Sequence, residues 1–184
     1  MQQYMVTICA FLVVLWGAGC SNKPKRIRPP SINAKSAGAG AVELYDTDGN
    51  GALSRSELAA CPGILAAFEQ YDANHDSQVQ SEEITARIKN WQESRIGITP
   101  FKCWVRLDGR PLSGATVKLV PEPFLGNAIE IASGTSEANG QVVLSIAADR
   151  LPAAQQRIRG VQLGLYKGEV SHPRVTLPEK YNAH

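Results

Sequence analysis

Two stretches of the chain place oxygen-bearing side chains at intervals that suit a hard cation. The first is Asp46-Thr47-Asp48-Gly49-Asn50-Gly51-Ala52-Leu53-Ser54-Arg55-Ser56-Glu57. The second is Asp72-Ala73-Asn74-His75-Asp76-Ser77-Gln78-Val79-Gln80-Ser81-Glu82-Glu83. Each has Asp, Asn or Asp again at its first, third and fifth places and closes on a glutamate at the twelfth. Short side chains at alternate positions of a tightly wound segment point inward, and a long terminal glutamate can reach back to offer both oxygens. Calcium accepts about six to eight oxygens at roughly 2.3–2.6 Å in flexible geometry, so this donor set suits it. In the first stretch Asp46, Asp48 and Asn50 supply side chains, Ala52 a backbone carbonyl, Ser54 a contact through water and Glu57 the closing carboxylate. In the second the same places hold Asp72, Asn74, Asp76, Gln78, Gln80 and Glu83.

The spacing resembles the EF-hand loop, in which a glycine at the sixth place makes the sharp bend. Gly51 meets that requirement, and Ser77 departs from it. A residue with a Cβ held at positive φ costs on the order of 1 kcal/mol or more, so the second site is expected to be the weaker. The alternative for the second stretch is a degenerate loop that only supports its partner. Paired EF-hands join through a short antiparallel bridge between the eighth places, which implies a contact between Leu53 and Val79 here. Fourteen residues separate the loops and include Pro62-Gly63, leaving little helix to swing. The chain's two methionines, Met1 and Met5, both lie in the leader, so a sensor that opens a methionine-rich groove is not expected. A structural or constitutive site fits better.

Helical segments must hold these loops. Val42, Leu44 and Tyr45 approach the first, with Gly38 and Gly40 weakening that helix. Leu58 to Ala60 form a short exit stopped by Pro62-Gly63, and Ile64, Leu65, Phe68 and Tyr71 lead at helical spacing into the second loop. Ile84, Ile88 and Trp91 make the stripe that follows, with Gly97 as its terminator.

Beyond Thr99 the apolar period changes to two. Phe101, Cys103, Val105 and Leu107 alternate up to an Asp108-Gly109 turn, and Ala115, Val117 and Leu119 alternate up to Pro121-Glu122-Pro123. A strand is expected through Ile129 and Ile131, another after Asn139-Gly140 through Val142, Leu144 and Ile146, and a last from Leu165 to Val170. Together with Leu107 to Val117, Gly134-Thr135, Ala138-Asn139-Gly140 and Gly164-Leu165-Tyr166, this pattern is similar to the carboxypeptidase-regulatory-like, transthyretin-like β-sandwich. The resemblance implies a spacer or adhesion module and no catalytic residue.

The N-terminus reads as a targeting segment. Val6 to Gly19 is almost wholly apolar, too short for a membrane span, and ends in Gly17-Ala18-Gly19-Cys20. That end resembles a bacterial lipobox, with Gly17 where leucine is usual, and implies lipidation at Cys20. A plain signal peptide, an uncleaved anchor or a misassigned start remain alternatives. The expected organisation is therefore a signal peptide over 1–20, a basic flexible tether over 21–37, a paired EF-hand domain over 38–97 and a β-sandwich over 98–184. The fold class is α+β in two domains, a small all-α pair followed by an antiparallel sandwich.

Charge follows the same division. Residues 40–97 carry ten acids against four bases, and residues 98–184 carry seven acids against ten bases, so the overall +2 hides an acidic middle. Cys61 and Cys103 are either a pair bridging the domains or two separate buried thiols; with no CxxC, zinc and thioredoxin-type chemistry have no support. His75, His172 and His184 are scattered, and no HExxH, GxSxG or phosphate loop occurs, so no enzyme is expected. The tether's bases lack interleaved aromatics, which disfavours nucleic acid. The expectation is an exported, membrane-anchored calcium-binding protein of the cell envelope whose sandwich contacts another protein or a glycan. The alternative is an exported hydrolase, or a hydrolase accessory subunit, with calcium in a structural role.

Overall fold

The computed structural model describes residues 27–153 and 155–177; the expected signal peptide and Cys20 lie outside them. The architecture is α+β, with helices and two short strands first and an antiparallel sheet after. Among the described residues, no helix is long and apolar enough to cross a membrane.

Helix α1 (Ala34–Tyr45) begins four residues inside the stretch expected to be a tether. Asn33 caps it, its side chain accepting from Ser36 N–H at 3.1 Å. The buried face is made of Ala34, Ala37, Gly38 and Ala41, small residues that give no strong apolar period and so do not announce a helix. Their size has a use, because helix α4 (Ser81–Glu93) crosses here. A Cβ at Gly38 would collide with the Ser81 carbonyl and the Thr85 hydroxyl. Thr85 Oγ1 instead donates across the crossing to the Ala34 carbonyl at 3.1 Å.

Between these helices lie β1 (Ala52–Leu53), a 3₁₀ turn (Glu57–Ala60), the four-residue helices α2 (Pro62–Leu65) and α3 (Phe68–Tyr71), and β2 (Val79–Gln80). Pro62 does not merely stop the exit turn; it starts α2, where its missing N–H and fixed φ cost nothing. The apolar stripe over Ile64 to Tyr71 is split between α2 and α3 rather than forming one helix. Helix α4 buries Ile84 and Ile88 completely, as their spacing implies. It ends before Gly97: Ser94 caps it and Arg95 takes the left-handed turn, with φ +57°.

The later strands are β3 (Phe101–Trp104), β4 (Arg106–Leu107), β5 (Arg110–Pro111), β6 (Thr116–Pro121), β7 (Ala132–Thr135), β8 (Gln141–Ile146) and β9 (Tyr166–Ser171). β4 and β5 form a hairpin whose tip, Asp108 and Gly109, has positive φ at both residues. That is the turn whose twist matches paired strands. The other five make one antiparallel sheet in the order β3-β8-β7-β6-β9. Strand β8 pairs with β3 through Gln141 to Leu144 and with β7 through Ser145 and Ile146, so the sheet turns where the partner changes. The strand expected through Ile129 and Ile131 lies further on, at β7, because Pro123–Ala128 coils into 3₁₀ turns and buries Leu125 and Ile129 toward the helices.

Two buried clusters result. One, under the sheet, gathers Val117, Ala132, Val142, Leu144, Ile146, Leu151 and Val161. The other gathers Tyr45, Leu53, Leu58, Ile64, Phe68, Val79, Ile84 and Ile88 from the helical region together with Leu125, Ile129 and Leu165 from beyond it. The helical region thus completes its core with residues from the sheet half.

Candidate functional site

The first loop leaves α1 at Asp46, whose own N–H still donates to the Val42 carbonyl, so the carboxylate starts from a fixed helix end. Asp46 then organises the coil. Oδ1 accepts from Gly49 N–H at 2.7 Å and Oδ2 from Gly51 N–H at 2.8 Å. Asp48 accepts from Asn50 N–H at 3.0 Å, and Asn50 from Ala52 N–H at 2.8 Å. Each side chain therefore bends the backbone that follows it. Gly49 and Gly51 occupy the left-handed region, at φ +74° and +85°, which their lack of a Cβ permits.

Glu57 closes the ring from the first residue of the 3₁₀ turn. Its Oε1 accepts from Thr47 N–H at 2.7 Å and its Oε2 from Ser54 N–H at 2.8 Å, with both hydroxyls adding to the contact. Donors from Ser54 and Thr47 hold this carboxyl down to about 2, and the Gly51 and Gly49 N–H groups lower that of Asp46. Both are anionic across the physiological range. One carboxylate oxygen each from Asp46, Asp48 and Glu57 lies within 4.8 Å of the others. Among the described residues these form the one such group of three or more histidines, cysteines or carboxylates. Like charges about 4 Å apart repel by about 1 kcal/mol even in water, and more in a less polar setting. A divalent cation between them converts that repulsion into attraction.

The second loop repeats the plan. Asp72 accepts from Asp76 N–H and Ser77 N–H, both at 3.0 Å, and Glu83 accepts from Ala73 N–H at 2.8 Å and Gln80 N–H at 2.9 Å. Two differences set it apart. His75 and Ser77 take left-handed φ, +61° and +67°, where the first loop has glycines. Asp76 is also engaged by two amides, those of Gln80 and Asn74, the first of which chiefly lowers its pKa, where Asp48 of the first loop meets one, that of Asn50 at 2.9 Å. An amide turned onto a carboxylate must be displaced before that oxygen can take a metal. Leu53 and Val79 face one another in the β1–β2 pair, joining the loops back to back. Arg55 reaches from the first loop to Glu69 and lies 3.8 Å over the Phe68 ring, tying the loop to α3.

Sequence reasoning gave no sign of a buried polar group behind the first loop. Glu122, fully buried, accepts from the Tyr45 hydroxyl at 2.6 Å, and its other oxygen lies 3.6 Å from Cys61 Sγ. Lys167 Nζ stands 3.7 Å away and offsets the charge. Tyr45 immediately precedes Asp46, so the loop is anchored to the sheet half. Nothing in residue spacing could show contacts that span 77 and 61 positions. Burial, with Glu122 beside it, pushes the Cys61 thiol up to about 12, which leaves it unreactive. Cys61 and Cys103 are both free thiols, so the cross-domain pair is not formed.

Comparison with known proteins found no family model that matches the chain and no relative among curated proteins.

Proposed function

We propose that the chain binds calcium through an EF-hand pair, using Asp46, Asp48, Asn50, Ala52, Ser54 and Glu57 at a tighter site and Asp72, Asn74, Asp76, Gln78, Gln80 and Glu83 at a weaker one. The observation that carries this reading is the convergence of three carboxylates within 4.8 Å in a loop coiled by its own side chains. The donor set is all oxygen and includes no soft ligand, which favours calcium over zinc or copper. Ring-closing N–H donors hold Glu57 near its binding position, so little ordering is left for the ion to impose.

On this proposal the protein is exported, attached to a membrane by lipid on Cys20, and non-catalytic. The helical pair forms one domain and the strands a transthyretin-like sandwich that acts as a spacer or interaction module. Affinities of roughly 10⁻⁴ to 10⁻³ M, usual for extracellular modules, would suffice where calcium is abundant. Isothermal titration of the chain lacking residues 1–20 tests the reading. Heat uptake at two unequal sites is expected. A protein whose titration heat and melting temperature ignore millimolar Ca2+ would overturn it.

A further inference from the structure

The outward face of β3 and β4 carries a second set of unused groups. Lys102, Trp104 and Arg106 are exposed, while Cys103 and Val105 between them pack against the core under the sheet. Alternation therefore puts the first three on one side of the extended chain, with successive Cα atoms of the set about 6.8 Å apart and those of the two basic residues about 14 Å apart. Trp104 is 58% exposed, unusual for a side chain of that size. Across the ladder, Val143 stands opposite Lys102 and Gln141 opposite Trp104, so the same face extends onto β8.

Its two cations stand outside the ion pairs of the sheet half. Lys118 pairs with Glu169 at 3.6 Å and Lys167 with Glu122 at 3.7 Å, whereas among the described residues neither Lys102 nor Arg106 has a carboxylate partner. The nearest acid along the strand is Asp108, at the hairpin tip. The result is an indole plate between two free cations, at one edge of the sheet.

We infer that this face binds an acidic polysaccharide, with a sugar ring stacked on Trp104 and carboxylates of the same chain paired to Lys102 and Arg106. Charge complementarity selects a polyanion. The single ring bordered by a carboxamide, Gln141, suits a pyranose, which combines a C–H face with hydroxyls. A single-stranded nucleic acid would call for further rings to take successive bases. A bilayer would call for a larger apolar cluster than Trp104 and Val143.

The test is affinity electrophoresis of the full-length chain in millimolar Ca2+ with hyaluronate, a uronic-acid polymer, as the probe. The wild type is expected to bind hyaluronate at least tenfold more tightly than neutral dextran, and to release it as salt is raised. Trp104→Ala, and Lys102→Glu with Arg106→Glu, should each reduce affinity tenfold or more. Trp104→Phe, which keeps a stacking ring, should retain most of it. All three positions are exposed, and an unchanged melting temperature checks that the variants fold. The proposal is overturned by a wild type that does not bind hyaluronate, or by Trp104→Ala binding undiminished. An equal loss in Lys89→Glu on α4 would show mere net charge and overturn it too. So would tighter binding to oligothymidylate than to hyaluronate, or binding to phosphatidylglycerol vesicles that Trp104→Ala abolishes.

Discussion

Two glutamates close the two loops in equivalent places, and comparing them is the sharpest residue-scale test of the proposed ranking of the sites. Glu57 closes a ring containing two further converged carboxylates, one of them engaged by the Asn50 amide, whereas Glu83 closes one in which Asp76 is engaged by two amides. Glu57→Gln is expected to weaken the tighter site tenfold or more, a loss of about 1.4 kcal/mol, and Glu83→Gln to weaken the other by less. Calcium titration of both variants measures this, and equal losses would contradict the ranking. Strain gives a second test. Ser77 at φ +67° costs on the order of 1 kcal/mol, so Ser77→Gly should raise the melting temperature of the calcium-saturated protein by about 2–4 °C. A flat result would dismiss strain as a ground for ranking the second site below the first. Protons supply a third. The folded protein lowers the Glu57 carboxyl from 4.5 to about 2, so its stabilising contribution is present above the unfolded value and lost as pH falls through the folded one. In EDTA, the stability difference between wild type and Glu57→Gln should be constant above pH 5 and shrink between about pH 4.5 and pH 2. A difference that grew on acidification would mean the N–H donors do not hold this group.

At the scale of elements, α1 shows what pattern reading captures and what it misses. Ile84 and Ile88 declare α4 because large side chains at helical spacing have few other uses. The partner helix declares little, since close packing at the crossing requires alanine and glycine there. Gly38 and Gly40 look alike in sequence and are opposite in role. Gly38→Ala should destabilise by roughly 1–3 kcal/mol, because the collision is with backbone that cannot turn aside. At Gly40 a new Cβ would meet Phe124 Cβ at 3.4 Å, an ordinary contact. Gly40→Ala should therefore be neutral or stabilise by up to about 1 kcal/mol through helix propensity. Urea denaturation of the two variants checks the contrast, which vanishes if α1 and α4 do not cross at Gly38. The two loops are legible for the reason α4 is: a coil bent by its own side chains fixes residue type at fixed places. The strand after Pro121 was misplaced because Ile129 is apolar for the sake of the helical core, and alternation cannot tell which core an isoleucine serves.

At the scale of the molecule, the position of the first loop decides how far an ion's effect travels. Tyr45, next to Asp46, donates to Glu122; Cys61, just past the 3₁₀ turn that starts at Glu57, lies against the same carboxylate. Both ends of the loop thus meet one buried group from the sheet half. Leu125, Ile129 and Leu165 share the helical core, so unfolding the helices would expose apolar surface on the sheet half as well. Calcium that binds only the folded chain stabilises it by about 2.7 kcal/mol at a free concentration 100 times the dissociation constant. With a shared core, that increment should move the whole chain. Calorimetry is expected to show one transition that shifts upward with Ca2+, followed equally by the helical signal and by the sheet. Glu122→Ala leaves the buried Tyr45 hydroxyl without its acceptor, at a cost of about 1–3 kcal/mol. It should lower that transition and begin to separate the sheet from the helices. Two transitions in the wild type, with only the helical one responding to calcium, would mean that the buried contact joins the halves without coupling them.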